Sequence, residues 1–217
     1  MKRALLVILA VLIADQALKV WVKLNFHYDG AVPLFGDWAY LHFIENRGMA
    51  FGMEFGGRWG KLLLSLLRIA AVIGIAVVLR RMVRQRAPGL QVLGVSLILA
   101  GALGNIIDST FYGLIFSQST VFEKAVLFPP GGGYAPLFHG AVVDMFYFPI
   151  WEGRLPQWLP LWGGQHFTFF QPVFNIADAA ITVGIGLFVI AQWGRREEAA
   201  IPAPPDEAPP PAPPAAP

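Results

Sequence analysis

The chain contains no cysteine. Disulfides, zinc–thiolate sites, iron–sulfur clusters, thiol nucleophiles and lipidation on cysteine are therefore excluded. Charge is also scarce. Asp, Glu, Lys and Arg make up 14% of the 217 residues, against roughly 25% in an average soluble domain. Sixteen Lys and Arg against 14 Asp and Glu leave a formal net charge of +2, too weak a basic excess to suggest nucleic acid as a partner. His27, His42, His139 and His166 show no His-Glu-x-x-His spacing, which disfavours a metallopeptidase. The absence of Gly-x-Ser-x-Gly disfavours a serine hydrolase. No span carries Gly-x-Gly-Asp, and no internal repeat is visible.

Apolar residues are what the chain has in excess, at 56% of the total. Four apolar stretches stand out, at 4–22, 62–79, 90–107 and 173–193. Each is close to the roughly 20 residues a helix needs to cross hydrocarbon. None alternates with period two, so they are read as helices and not as barrel strands. Lys2 and Arg3 before an apolar run also fit a cleaved leader, but the apolar character continues past Asp15 to Val22 with no small-residue cleavage site after it. Lys2, Arg3, Arg80, Arg81, Arg84, Arg86, Arg195 and Arg196 then fall on one side, the cytoplasm, which leaves 23–61 and 109–172 outside.

The expected fold is a mostly α membrane protein: a four-transmembrane-helix bundle with a small extracytoplasmic β platform and an extended extracytoplasmic loop. The membrane domain is expected over 1–198, with its β segment at about 25–60 and its loop at about 113–171. Residues 38–46 alternate as a strand, Asn46-Arg47-Gly48 reads as a turn, and 49–55 as a returning strand. Segment 117–171 holds 13 of the 29 aromatics, which fits either a layer on the outer bilayer surface or a small soluble core. Residues 201–217 include nine of the 18 prolines and cannot bury a core, so 199–217 is expected to be a disordered cytoplasmic tail.

Polar side chains inside spans are costly and usually face a bundle interior or a wet cavity. Asp15 and Lys19 lie four apart on one helical face, Asn105 lies far along the third span, and Asn175, Asp178 and Thr182 share a stripe near the outer end of the fourth. These groups fall at similar depth, which independent structural residues have no reason to do. Asp15–Lys19 as a plain ion pair and Asn105 as helix–helix glue remain open, as does a lipid headgroup partner for Lys19. Asp178 has no cation at three or four residues' distance on its helix. Asp144, in the apolar outer segment His139-Gly140-Ala141-Val142-Val143-Asp144-Met145-Phe146, is its strongest candidate partner. Ion-relay and scaffold functions are the alternatives that spacing leaves open.

Five blocks carry a resemblance. They are Asp15-Gln16-Ala17-Leu18-Lys19; Asn46-Arg47-Gly48-Met49-Ala50-Phe51-Gly52; Gly101-Ala102-Leu103-Gly104-Asn105-Ile106-Ile107-Asp108; Val142-Val143-Asp144-Met145-Phe146; and Phe174-Asn175-Ile176-Ala177-Asp178. In this order, on four spans, they resemble the lipoprotein signal peptidases, the membrane aspartic peptidases called signal peptidase II. The resemblance implies a bacterial inner-membrane enzyme that cleaves lipidated prolipoproteins before the diacylglyceryl-modified cysteine, near the outer leaflet. It implies two catalytic aspartates, Asp144 and Asp178. It implies substrate-binding and supporting roles for Asp15, Lys19, Asn46, Gly48, Gly104, Asn105, Asn175 and Ala177, with Asp108 closing the third block. It implies no cofactor, contact with membrane lipid, and inhibition by the cyclic peptide globomycin; a monomer is the default expectation, with oligomeric state left open by the sequence. Two departures mark this chain. Ser109 stands where the family often has arginine, and Asp108 and Asp144 are 36 positions apart, so an enlarged loop separates the third and fourth blocks.

Overall fold

A computed structural model describes residues 1–47, 57–169 and 172–200. Helix α1 (Lys2–Asn25) leads into strands β1 (Ala31–Phe35) and β2 (Ala39–Asn46). Helices α2 (Gly57–Arg84) and α3 (Gly89–Ile107) follow, and α3 passes through a π-helical turn, Asp108–Tyr112, into the short helix α4 (Gly113–Ile115). Strands β3 (Val142–Tyr147), β4 (Trp151–Arg154), β5 (His166–Phe169) and β6 (Val173–Phe174) precede helix α5 (Ile176–Ala200). Four helical segments are long and apolar enough to cross a membrane: Lys2–Asn25, Trp59–Arg84, Gly89–Ile115 and Ile176–Trp193. Large apolar side chains such as Leu6, Ile13, Leu63, Ile73 and Ile190 stand exposed on them. Such faces suit hydrocarbon and not water.

Local chemistry sets the ends of these helices. Arg86 takes a left-handed φ of 55°. The Ala87 and Arg86 N–H groups donate to Met82 O and Val83 O, and Pro88 prevents continuation. Together these form a Schellman stop, so α3 turns back beside α2. Helices α3 and α5 approach until their backbones nearly touch. A Cβ on Gly94 would lie 2.7 Å from Gly184 O, and one on Gly101 would lie 2.1 Å from Ala177 O. Small residues at these crossings are what allow the approach.

The main sheet is antiparallel, in the order β1-β2-β3-β6, and β4 with β5 forms a separate hairpin. Strand β2 buries Ala39, Leu41 and Phe43 on one face. Trp38, expected inside that strand, precedes it and is exposed. Phe43, Val143 and Met145 pack with Val22, Tyr112 and Phe116 into a core where the sheet meets the ends of α1 and α3. A second core of Ala4, Ile8, Leu79, Val95, Leu99 and Ala100 joins α1, α2 and α3. The hairpin region has little such packing: Trp158, Leu161 and Trp162 are exposed.

The fourth helix begins later than the apolar stretch suggested. Val173–Phe174 pairs with β3 as an edge strand, and Asn175 becomes the helix N-cap. At the other end α5 continues to Ala200, past the expected boundary at 199. The expected strand 49–55, Gly48 of the expected turn and the Pro-rich tail from 201 lie outside the described residues.

Candidate active site

Helix α5 opens with a reciprocal capping box. The Asp178 N–H donates to Asn175 Oδ1 at 2.9 Å, and the Asn175 N–H donates to Asp178 Oδ2 at 3.3 Å. This satisfies orphan donors of the first turn and fixes Asp178 at the mouth of the helix. The other end of the Asn175 amide turns to the sheet. Its Nδ2 donates to Asp144 Oδ1 at 2.6 Å, and it also reaches Val143 O and Asn105 Oδ1. A single buried asparagine thus spans Asp144 on β3 and Asp178 on α5. Asn105 Nδ2 adds a bond to Asp178 Oδ1 at 2.8 Å. Asn46, at the end of β2, hydrogen-bonds Asp144.

Asp144 is 4% exposed. Burial, and then the nearby Asp178 charge, push its pKa up to about 7, with Asn175, Lys19 and Asn46 partly opposing the rise. The charged form is penalised by desolvation and by a like charge.

Behind the pair lies a buried ionic cluster. Lys19 Nζ sits 2.9 Å from Asp15 Oδ2 and 2.8 Å from Asp108 Oδ2, and donates to Asn105 Oδ1 at 2.9 Å. Asp15 Oδ1 accepts the Ala177 N–H at 2.9 Å, another first-turn donor of α5. Asp108 accepts from Gln16 Nε2 at 2.8 Å and from the Val143 N–H beside Asp144. Gln16 Oε1 in turn accepts the Tyr112 hydroxyl. The Asp15–Lys19 pair is therefore a junction of α1, α3, β3 and α5, and not only an intrahelical contact. Lys19 is fully buried, so the headgroup partner allowed by the sequence is corrected: its three bonds all point inward. Asn105 holds both Lys19 and Asp178, which is more than helix glue.

Gly104 and Ala177 belong to the site through their size. A Cβ on Gly104 would stand 2.6 Å from Asp15 Oδ2 and 3.2 Å from the Ala177 Cβ. Ten of the eleven expected site residues are among those described, and they converge here; Gly48 lies outside the described residues. Thr182, on the same stripe of α5, hydrogen-bonds Asp178 O and leads away from the pair.

Sequence reasoning missed Arg68. This residue of α2 donates from Nη1 to Ser109 Oγ at 3.3 Å and interacts electrostatically with Asp178 and Asp144. Ser109 donates to Asn105 O, so a chain of contacts links Arg68 to the residue that holds Asp178. The available signal was a lone arginine in an apolar run, costly in hydrocarbon unless it faces a partner. Among the described residues, no three His, Cys, Asp or Glu side chains converge as metal ligands would. What the geometry offers is two adjacent carboxyls of unequal surroundings, held rigidly at the junction of a sheet and a helix mouth.

Comparison with known proteins gives a consistent picture. The family profile described as signal peptidase (SPase) II matches residues 7–193. The lipoprotein signal peptidase of Porphyromonas gingivalis is 51% identical over 188 residues, covering 86% of this chain and 80% of the relative. The lipoprotein signal peptidase of Amoebophilus asiaticus is 41% identical, covering 84% and 74%. Two solved structures of bacterial membrane enzymes share the fold. One has a TM-score of 0.61 at 20% identity over 91% of this chain and 92% of the other, and the second a TM-score of 0.58 at 22% identity over 88% and 93%.

Proposed function

The chain belongs to the signal peptidase II family, and from that premise we propose that it removes the signal peptide from diacylglyceryl-modified prolipoproteins with Asp144 and Asp178 as its catalytic pair. The observation that carries the reading is the Asn175 bridge, which ties one carboxyl on β3 to the other on α5. Gln16 Nε2 bridges Asp15 and Asp108 in a comparable way, but both of those carboxyls are fully buried, whereas Asp178 is partly exposed.

In this reading the pair holds one water molecule. Asp144, the carboxyl with the raised pKa, carries the shared proton. Asp178 takes a proton from the water as it attacks the scissile carbonyl. Asp144 gives its proton to the carbonyl oxygen as the tetrahedral intermediate forms; on collapse Asp178 passes the proton it took from water to the leaving nitrogen, the C–N bond breaks, and Asp144 takes back a hydroxyl proton as the new carboxyl forms. Asn175 and Asn105 hold both carboxyls in place throughout, so little reorganisation accompanies the transfer. The Lys19 cluster keeps Asn105 and the first turn of α5 in register.

The proposal extends to placement. The basic ends Lys2, Arg3, Arg80, Arg81, Arg84 and Arg86 support a cytoplasmic side opposite the sheet. The pair then lies near the outer leaflet of the bacterial inner membrane, level with the bond next to a lipidated residue. Exposed Trp158 and Trp162 support contact of the hairpin region with the headgroup layer.

The test is cleavage in vitro of a lipidated prolipoprotein by wild type, Asp144→Asn and Asp178→Asn. Each variant is expected to lose at least about a thousandfold in rate, about 4 kcal/mol of barrier. Near wild-type turnover by either variant would refute the pair. Globomycin is expected to block the wild-type reaction.

A further inference from the structure

The enlarged loop between α4 and β3 has no role in the chemistry above, yet it builds one wall of a cavity that reaches Asp144. This groove encloses about 810 Å³. Ile44, Glu45, Asn46 and Arg47 at the end of β2 form one side, Gln118 to Val121 of the loop form the other, and Tyr28, Asp144 and Val173 complete the lining. Eight of the eleven lining residues carry polar groups, although somewhat more apolar than polar surface faces the groove. An acyl chain or the apolar core of a signal peptide would leave those groups unpaired.

The two walls are tied to each other by a buried cation. Lys23, fully buried near the end of α1, donates to Glu45 on one wall and to Ser119 Oγ on the other at 3.0 Å. Ser119 Oγ also donates to Glu45 Oε1 at 3.0 Å. The rings of Tyr134 and Phe116 face the ammonium at 5.0 and 5.4 Å, an arrangement that favours a desolvated cation. The Tyr28 N–H donates to Thr120 O at 3.1 Å. The groove width is therefore set before anything binds, which lowers the ordering cost of binding.

We propose that this groove binds the polar stretch of prolipoprotein chain that follows the lipidated cysteine, and that residues 118–121 are a specificity element supplied by the enlarged loop. The proposal rests on the reading of Asp144 as one of the catalytic pair. A peptide cleaved at Asp144 leaves in two directions, and its apolar signal segment follows the spans. The groove is built from segments outside the four spans and most of its lining residues carry polar groups, so it matches the other direction. At about 3.3 Å per extended residue, four residues would span about 13 Å.

Two synthetic diacylated substrates with the same signal peptide test this, using the full-length enzyme. One ends at the lipidated cysteine, and the other continues for about four polar residues. The long substrate is expected to exceed the short one about tenfold in kcat/KM, the effect of one or two added hydrogen bonds. In Gln118→Trp, which fills the groove from an exposed position, that ratio is expected to fall to about one. A ratio of one in wild type, or an undiminished ratio in Gln118→Trp, would overturn the proposal. Should Gln118→Trp fail to fold, a photoreactive residue placed after the cysteine of the long substrate gives a second readout with Asp144→Asn. Crosslinks to Tyr28 or 118–121 support the groove, and crosslinks confined to other segments overturn it. Cleavage of the short substrate by wild type but not by Asp144→Asn tests the catalytic pair separately.

Discussion

Two lysines stand one helical turn apart on α1, and both are withdrawn from solvent. Lys19 meets two buried carboxylates, Asp15 and Asp108, together with the Asn105 amide. Lys23 meets one carboxylate, Glu45, a hydroxyl, and a shell of aromatic rings. The first lysine organises the helices behind the aspartate pair. The second fastens the sheet to the enlarged loop. Their difference shows how one helix face serves both chemistry and an accessory wall: the number of carboxylates decides how much depends on each cation.

Removing the cations should expose that difference. Lys19→Met strands two buried negative charges, and breaking a buried pair costs about 3–5 kcal/mol. The variant is expected to lose most of its activity and to unfold at markedly lower denaturant concentration in detergent. Lys23→Met strands one charge, and its stability loss should be the smaller of the two. Equal losses would break the comparison.

Protonation offers the next effect in size. The Asp144 pKa is raised from 3.8 to about 7, so the folded state binds the proton more tightly than the unfolded chain does. This group therefore opposes folding as pH rises from about 4 to about 7, and the full penalty is present above that. Asp144→Asn removes the penalty. At pH 8 the variant is expected to be more stable than wild type by on the order of 2–4 kcal/mol, with little difference near pH 4. Denaturant titrations at the two pH values check this, and a variant less stable at pH 8 would contradict it.

Sterics at Gly104 come next. The added methyl of Gly104→Ala would meet Asp15 Oδ2 at 2.6 Å. Overpacking of this kind costs about 1–3 kcal/mol, and the displaced Asp15 should loosen its bond to the Ala177 N–H. Both thermal stability and kcat are expected to fall. The smallest effect is assigned to Arg68→Gln, which keeps a donor for Ser109 and removes the charge. A fall of about tenfold in kcat with a shifted pH profile is expected, near 1.4 kcal/mol. An unchanged profile would assign Arg68 to packing alone.

Much of this was legible from residue types and spacing. Asp15, Lys19, Asn105 and Asp178 disclosed themselves as costly polar groups at similar depth in apolar runs. Asp144 stood out as the strongest candidate partner of Asp178, but its catalytic role came from the resemblance, because a single aspartate in an outer segment carries no distinctive spacing. The start of α5 was misplaced because Val173 and Phe174 are as apolar as the helix that follows, and only their pairing with β3 separates them. Hydropathy cannot register that pairing. Arg68 and Lys23 escaped for a related reason. Each is defined by partners from distant segments, Ser109 for one and Glu45 with Ser119 for the other, and a single chain without its fold does not disclose such meetings.

The account centres on two carboxyls that sense each other's charge across Asn175. The most direct measurement is a titration of the Asp144 carboxyl by carbon-13 labelling, in wild type and in Asp178→Asn. The account predicts an apparent pKa near 7 in wild type and a clearly lower one in the variant, where the neighbouring negative charge is gone. An identical titration in both proteins would mean that the two aspartates do not act as a pair.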